Sequence, residues 1–156
     1  MSTSKYNNKI VAAINVFEFN SVNIIEQAVA LAKNFSAELH LVYSIPEKSG
    51  YLCAVAYDSW PQLQSLVNIE LEGSVSKEES DKAIKQMILD HIDFDIEHIH
   101  VLHGDIAQSI IEFSNSIEAS LIILGQSEHH FHIHHSVAKQ ILNDSNKDIL
   151  YISQNN

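Results

Sequence analysis

Five histidines fall within seven residues: His129, His130, His132, His134 and His135, in the run Gly125-Gln-Ser-Glu-His-His-Phe-His-Ile-His-His-Ser136. Neutral imidazole is a good ligand for zinc, copper or nickel, and it titrates near physiological pH. If the run is helical, His130 and His134 stand one turn apart, a spacing that chelates one ion. If it is extended, His130, His132 and His134 share a face. Glu128 is the one carboxylate close by in sequence, and no cysteine is near. The plainer alternative is a solvated loop rich in histidine, because such tracts are compositional signals. A third reading needs no metal. Ten histidines set against a net charge of −11 mean that mild acid removes most of the charge that keeps the chain dispersed, and so changes its self-association.

An apolar segment, Ser120-Leu-Ile-Ile-Leu124, leads into the run, and a helix-like one, Val137 to Leu142, follows. A connection in that position carries function in many α/β domains. The other elements fit the same scheme. Lys9 to Asn15 is a continuous apolar run, as for a strand buried on both faces of a parallel sheet. Asn20 or Ser21 can cap a helix that places Ile24, Ile25, Ala28, Leu31, Ala32 and Phe35 at three-and-four spacing and ends near Asn34 to Ser36. Glu38 to Ile45 is a second strand, closed by Pro46. Residues 46 to 59 read as a long loop and Ser59-Trp60-Pro61 as a helix start. Leu63, Leu66, Val67 and Glu70 share a face, and Ala83, Ile84, Met87 and Ile88 form a further helical stripe.

Glu97 to Leu102 is a third strand. Its alternation puts His98, His100 and Leu102 on one face, which predicts a wetter face and an edge position. His103-Gly104-Asp105 turns into a helix capped by Asp105, with Ile106, Ile110, Ile111 and Phe113 inward. Ser120 to Leu124 is a fourth strand and Asp148 to Ser153 a last one. Strands alternate with helices, which predicts parallel βαβ units in one doubly wound sheet, a single domain over residues 1–156.

Composition narrows the partners. With 46% hydrophobic residues, two Pro and four Gly, the chain can fill a core. The acidic balance repels phosphate backbones and anionic membrane surfaces, so neither nucleic acid nor membrane is expected. The lone Cys53 excludes an internal disulfide and a thiolate metal cluster. No run of 18 apolar residues is present, and a cytoplasmic location is the expectation. Tyr51, Tyr57 and Trp60 are read as packing residues, and Glu78-Glu79 with Lys77 and Lys82 as a solvated helix face. Gly-x-Ser-x-Gly and the P-loop pattern are absent, so no catalytic residue is assigned.

Taken in order, five pieces resemble the universal stress protein family over nearly the whole chain. They are Ile10 to Asn15, Glu26 to Ala32, Val101-Leu-His-Gly-Asp105-Ile-Ala107, Ala119 to Gly125, and Ser136 to Ile141. The resemblance implies a five-stranded parallel sheet of order 3-2-1-4-5 between helices. It also implies a homodimer and a non-enzymatic role in survival under stress or growth arrest. The ATP-binding branch of that family carries Gly-x-x-Gly, nine residues, then Gly-[Ser/Thr]. Glycines there let backbone N–H groups approach phosphates at a helix N-terminus. The positions that would hold a nucleotide in this chain are Asn15, Val42, Gly125 and Ser136.

Several of these positions depart from the ATP-binding pattern. Gly125 and Ser136 match, but Glu128 stands at the second glycine, His135 precedes Ser136, and Asn15 replaces an aspartate. Ser136 follows Gly125 by 11 residues, three fewer than the pattern requires. A carboxylate at 128 would repel phosphate oxygens. The chain therefore resembles more closely the branch that does not bind ATP, and no cofactor is expected beyond a possible divalent metal on the histidines. The last strand, Ile149-Leu150-Tyr151-Ile152, is an apolar edge in this topology, and such an edge invites pairing with a second copy.

Overall fold

The structure is a computed structural model and describes residues 5–6, 8–14, 21–45, 77–125 and 132–152. Its elements are β1 (Lys9–Ala13), α1 (Ser21–Phe35), β2 (Glu38–Ile45), α2 (Lys77–Leu89), a 3-10 turn (Ile96–His98), β3 (Ile99–His103), α3 (Ile106–Ser116), β4 (Leu121–Gly125), α4 (His132–Asp144) and β5 (Asp148–Ile152). The five strands form one parallel sheet of order β3-β2-β1-β4-β5. The fold class is the one the sequence predicts. Asn20, the loop at 46–59 and the residues 51–70 that were read as packing or helical lie outside the described residues.

The period of two along each strand divides the core. Ile10 and Ala12 of β1, Leu39 and Leu41 of β2, and Leu121 and Ile123 of β4 pack against α1 and α2. Val11, Val42, Ile122 and Leu124 point the other way, onto Ala107, Ile110 and Ile111 of α3 and Ile141 of α4. Each such aliphatic side chain contributes about 1.5–3 kcal/mol on full burial.

Helices α1 and α3 each end in a left-handed residue. Ser36 (φ 53°) follows α1 and Glu118 (φ 57°) follows α3. The Ala37 amide donates to the Ala32 carbonyl at 2.9 Å and Ser36 to Lys33 at 3.1 Å. The Ala119 amide donates to Ser114 at 2.9 Å and Glu118 to Asn115 at 3.1 Å. These are two Schellman endings, made without the glycine that usually occupies the left-handed position. At the other end of α3 the Gln108 amide donates to Asp105 Oδ1 at 2.9 Å, so Asp105 is the helix cap, and Gly104 makes the preceding turn at φ 121°.

Two local expectations are corrected. Ala83 is exposed, and the buried stripe of α2 is Ile84, Met87 and Ile88. Those three lie at three-and-four spacing, and Ala83 falls on their flank. β3 begins at Ile99, not at Glu97, because Asp95 Oδ1 accepts the Glu97 amide at 3.0 Å and winds 96–98 into the 3-10 turn. Ile106 and Phe113 of α3 are half-buried and pack inward against the core, as the sequence places them, beside the buried Ala107, Ile110, Ile111 and Ser114. The expected helical segment Val137 to Leu142 lies within α4, which starts five residues earlier, at His132.

Candidate functional site

In an open parallel sheet the two halves wind in opposite directions from the point where strand order reverses, and a crevice opens there beyond the carboxyl ends of the strands. Here that point lies between β1 and β4, whose ends pair Ala13 with Leu124. Ile14 continues from β1 and its amide donates to the Val42 carbonyl at 2.9 Å. Gly125 ends β4 beside these residues. Val42 is fully buried, its side chain under α3. At the end of β2, Ser44 Oγ lies 2.6 Å from Ser109 Oγ, which donates to the Ile106 carbonyl at 3.0 Å. These two hydroxyls join β2 to the first turn of α3.

The sequence-derived residues divide as follows. Gly125 stands at the switch point and Val42 beneath it. Asn15, Glu128, His129 and His130 lie outside the described residues. The backbone of His132, His134, His135 and Ser136 is helical, in the first turns of α4, so the helical alternative holds for that part of the run. Their side chains lie outside the description.

A second group of histidines stands at the opposite end of the sheet. Glu38 opens β2, and β2 pairs with β3 so that Val42 lies beside His100. Period-two alternation then puts Glu38 and His40 on the same face as His100, and the 3-10 turn before β3 brings the His98 ring to 4.8 Å from that of His40. His40 is buried, with Nε2 at 2.6 Å from Glu38 Oε1 and Nδ1 at 2.9 Å from His100 Nε2. His98 Nε2 is 3.6 Å from the same Glu38 oxygen. Phe113 of α3 covers the inner side, its ring centroid 4.5 Å from that of His100 and 6.2 Å from that of His40.

Two members of this group are shifted from their ordinary values. The hydrogen bond from His40 holds the Glu38 carboxyl below its ordinary value, so Glu38 is an anion at neutral pH. Burial, helped by His40, Lys85 and His98, pushes His100 down to about 4, so its imidazole is neutral. Glu38, His40 and His100 thus form one chain, with His40 Nε2 facing Glu38 Oε1 and a single N–H shared between His40 Nδ1 and His100 Nε2. Sequence reading noted the polar face of His98 and His100 but not Glu38 or His40. The available signal was the pair of alternating patterns Glu38-x-His40 and His98-x-His100, which share a face only once β2 and β3 are placed side by side.

The sheet defines the class: a doubly wound α/β domain whose strand order reverses between β1 and β4. The sequence profile of the Universal stress protein family matches residues 7–153, and the chain belongs to that family. A universal stress protein of Methanocaldococcus jannaschii is 28% identical over 106 residues, which is 67% of this chain and 56% of that protein. The crystal structure of a putative universal stress protein from Pseudomonas aeruginosa superposes with a TM-score of 0.64 at 17% identity, over 96% of this chain and 48% of that one. The chain thus spans about half the length of these two relatives. A universal stress protein crystallised in complex with cAMP superposes with a TM-score of 0.52 at 14% identity, over 93% of this chain and 95% of that one.

Proposed function

We propose that this chain is a non-enzymatic universal stress protein, a single domain that acts in the cytoplasm as a homodimer and supports survival under stress or growth arrest through protein contacts. The observation that carries this reading is the edge at β5. Leu150 (36% exposed) and Tyr151 (44%) lie on an edge strand, and Leu142 of α4 (60%) is also exposed. A shallow groove of about 300 Å³, lined by Leu124, Ala138, Lys139, Leu142, Ile149 and Tyr151, extends the same apolar surface. An edge strand flanked by exposed apolar side chains is a template for a second copy, and a two-fold axis lets one patch serve both partners. Glu128, Asn15 and the shortened connection to Ser136 weigh against a triphosphate. Among the described residues no helix is long and apolar enough to cross a membrane. Sedimentation of the full chain with a thermal-shift series in ATP and magnesium tests the reading. The expected result is a dimer mass with no nucleotide stabilisation; a monomer at tens of micromolar protein would overturn it.

A second reading, a nucleotide-binding protein with a degenerate phosphate loop, is favoured by the relative in complex with cAMP and by Gly125 at the switch point. A cyclic monophosphate carries one negative charge, so it meets less repulsion from Glu128 than ATP does. Stabilisation by cAMP that grows with ligand concentration would select this reading, because a ligand bound only by the folded state raises stability logarithmically.

A further inference from the structure

The geometry points to a zinc-class metal site formed by Glu38, His40 and His98 on the β2–β3 side of the sheet, with His100 orienting His40 from behind. One ligand atom from each of the three residues lies within 4.8 Å of the others. A tetrahedral zinc ion with bonds near 2.0–2.2 Å sets its ligand atoms about 3.3 Å apart. His98 Nε2 already lies 3.6 Å from Glu38 Oε1, and His40 Nε2 lies 2.6 Å from it. Insertion of the ion therefore needs Glu38 to withdraw from His40 by under about 1 Å and the two imidazole nitrogens, within 4.8 Å of each other, to settle at about the same 3.3 Å. Glu38 is the ligand free to do this, with its side chain 45% exposed against 9% for His40.

The donor set is two imidazoles and one carboxylate, which suits zinc and neighbouring divalent transition metals and leaves calcium or magnesium short of oxygen ligands. His98, with its side chain 35% exposed, and Glu38 face outward, so solvent can supply a fourth ligand. His40 binds through Nε2 when its proton moves to Nδ1, and that Nδ1–H then donates to His100 Nε2 at the existing 2.9 Å separation. A metal-bound histidine commonly donates its other N–H to an acceptor that fixes ring and tautomer. His100 Nε2, 2.9 Å from His40 Nδ1, stands where that acceptor is needed. Phe113 closes the inner side against water. Lys9 and Lys85 are the cations that act on this group, on Glu38 and His100 respectively, and they temper its affinity without occupying a ligand position.

This site is separate from the His129–His135 run, which follows β4, whereas Glu38 and His98 stand at the amino ends of β2 and β3. The test must separate the two. In the full chain carrying His129→Asn, His130→Asn, His132→Asn, His134→Asn and His135→Asn, cobalt(II) chloride is titrated as the spectroscopic probe, and zinc chloride then displaces it. The expected result is one equivalent bound at micromolar cobalt, with a visible d–d band that zinc abolishes. Adding Glu38→Gln, on an exposed side chain, or His98→Asn, on a half-buried one, should weaken binding roughly tenfold or more while the near-ultraviolet circular dichroism is unchanged. Absence of stoichiometric cobalt binding in the chain lacking the run would overturn the proposal. So would binding that Glu38→Gln and His98→Asn both leave intact.

Discussion

Gly125 at the end of β4 lies hard against Ile24 of α1: a Cβ at position 125 would stand 2.0 Å from Ile24 Cδ1, 3.0 Å from Cγ1 and 3.3 Å from Cγ2. Ile24 is buried, 6% exposed, in the core beneath the sheet. The glycine that the sequence offered as a phosphate contact thus has a packing reason of its own, because α1 can approach the sheet only where no side chain intervenes. Gly125→Ala should destabilise the fold by about 1–3 kcal/mol, the cost of forcing a well-packed side chain aside. Ile24→Val removes the nearest atom, so the double variant should recover part of the loss. A double-mutant cycle by urea denaturation measures the coupling.

His100 is argued to act on metal through His40, not as a ligand, and the two roles separate by substitution. His100→Phe preserves a ring against Phe113 and removes the acceptor for His40 Nδ1. It should weaken zinc binding roughly 10–100-fold. His100→Gln keeps an acceptor at similar reach and should retain most of the affinity. Competition between zinc and a chromophoric chelator, in the chain lacking the His129–His135 run, reads the difference.

The two helix endings at Ser36 and Glu118 hold side chains in left-handed backbone (φ 53° and 57°). That conformation costs an ordinary residue about 1–2 kcal/mol, of which the greater unfolded-state freedom of glycine returns roughly 0.4–1 kcal/mol. Ser36→Gly and Glu118→Gly should each stabilise the protein, by up to about 1 kcal/mol. Additive gains in thermal midpoint are expected, since the endings belong to different helices on opposite faces of the sheet.

The β5 edge should respond to charge. Leu150→Lys puts an ammonium on the exposed face of an edge strand, a standard protection against pairing. It should convert the proposed dimer to monomer without loss of helical signal. An unchanged sedimentation coefficient would place the dimer contact elsewhere.

The amino-terminal residues are tied to the start of β5. Tyr6 Oη donates to Asp148 Oδ2 at 2.8 Å, and Lys5 pairs with the same carboxylate. The Lys5 and Tyr6 hydrogen bonds hold Asp148 below its ordinary 3.8, so the tie is lost as pH falls through that lowered value. The hydrogen bond to Asp148 raises Tyr6 above 10.0 and Lys5 above 10.5, so the tie is complete below pH 10 and lost as these groups deprotonate. Asp148→Asn should return the Tyr6 titration, followed by carbon-13 NMR of the phenol, toward 10.

Much of the fold is legible in the sequence because strands buried on both faces and amphipathic helices announce themselves by period. Glu38–Ile45 is a strand with the same bounds in both descriptions, and Asp105 caps α3 as its place before Ile106 implies. The misplacements are local contests that period cannot settle. Asp95 wins the Glu97 amide from β3, and helical backbone reaches back to His132 although the apolar pattern starts at Val137.

The sequence by itself determined the order of elements, the acidic character, the apolar last strand and the departure of the 125–136 segment from a phosphate loop. Each of these rests on residue type and short-range spacing. Tertiary structure alone decided that His40 meets His100, 60 residues away, and that Glu38 stands between His40 and His98. The reason is register. A one-residue slip between β2 and β3 would turn these side chains to opposite faces, and the register Val42 to His100 is set by the packing of whole strands against helices.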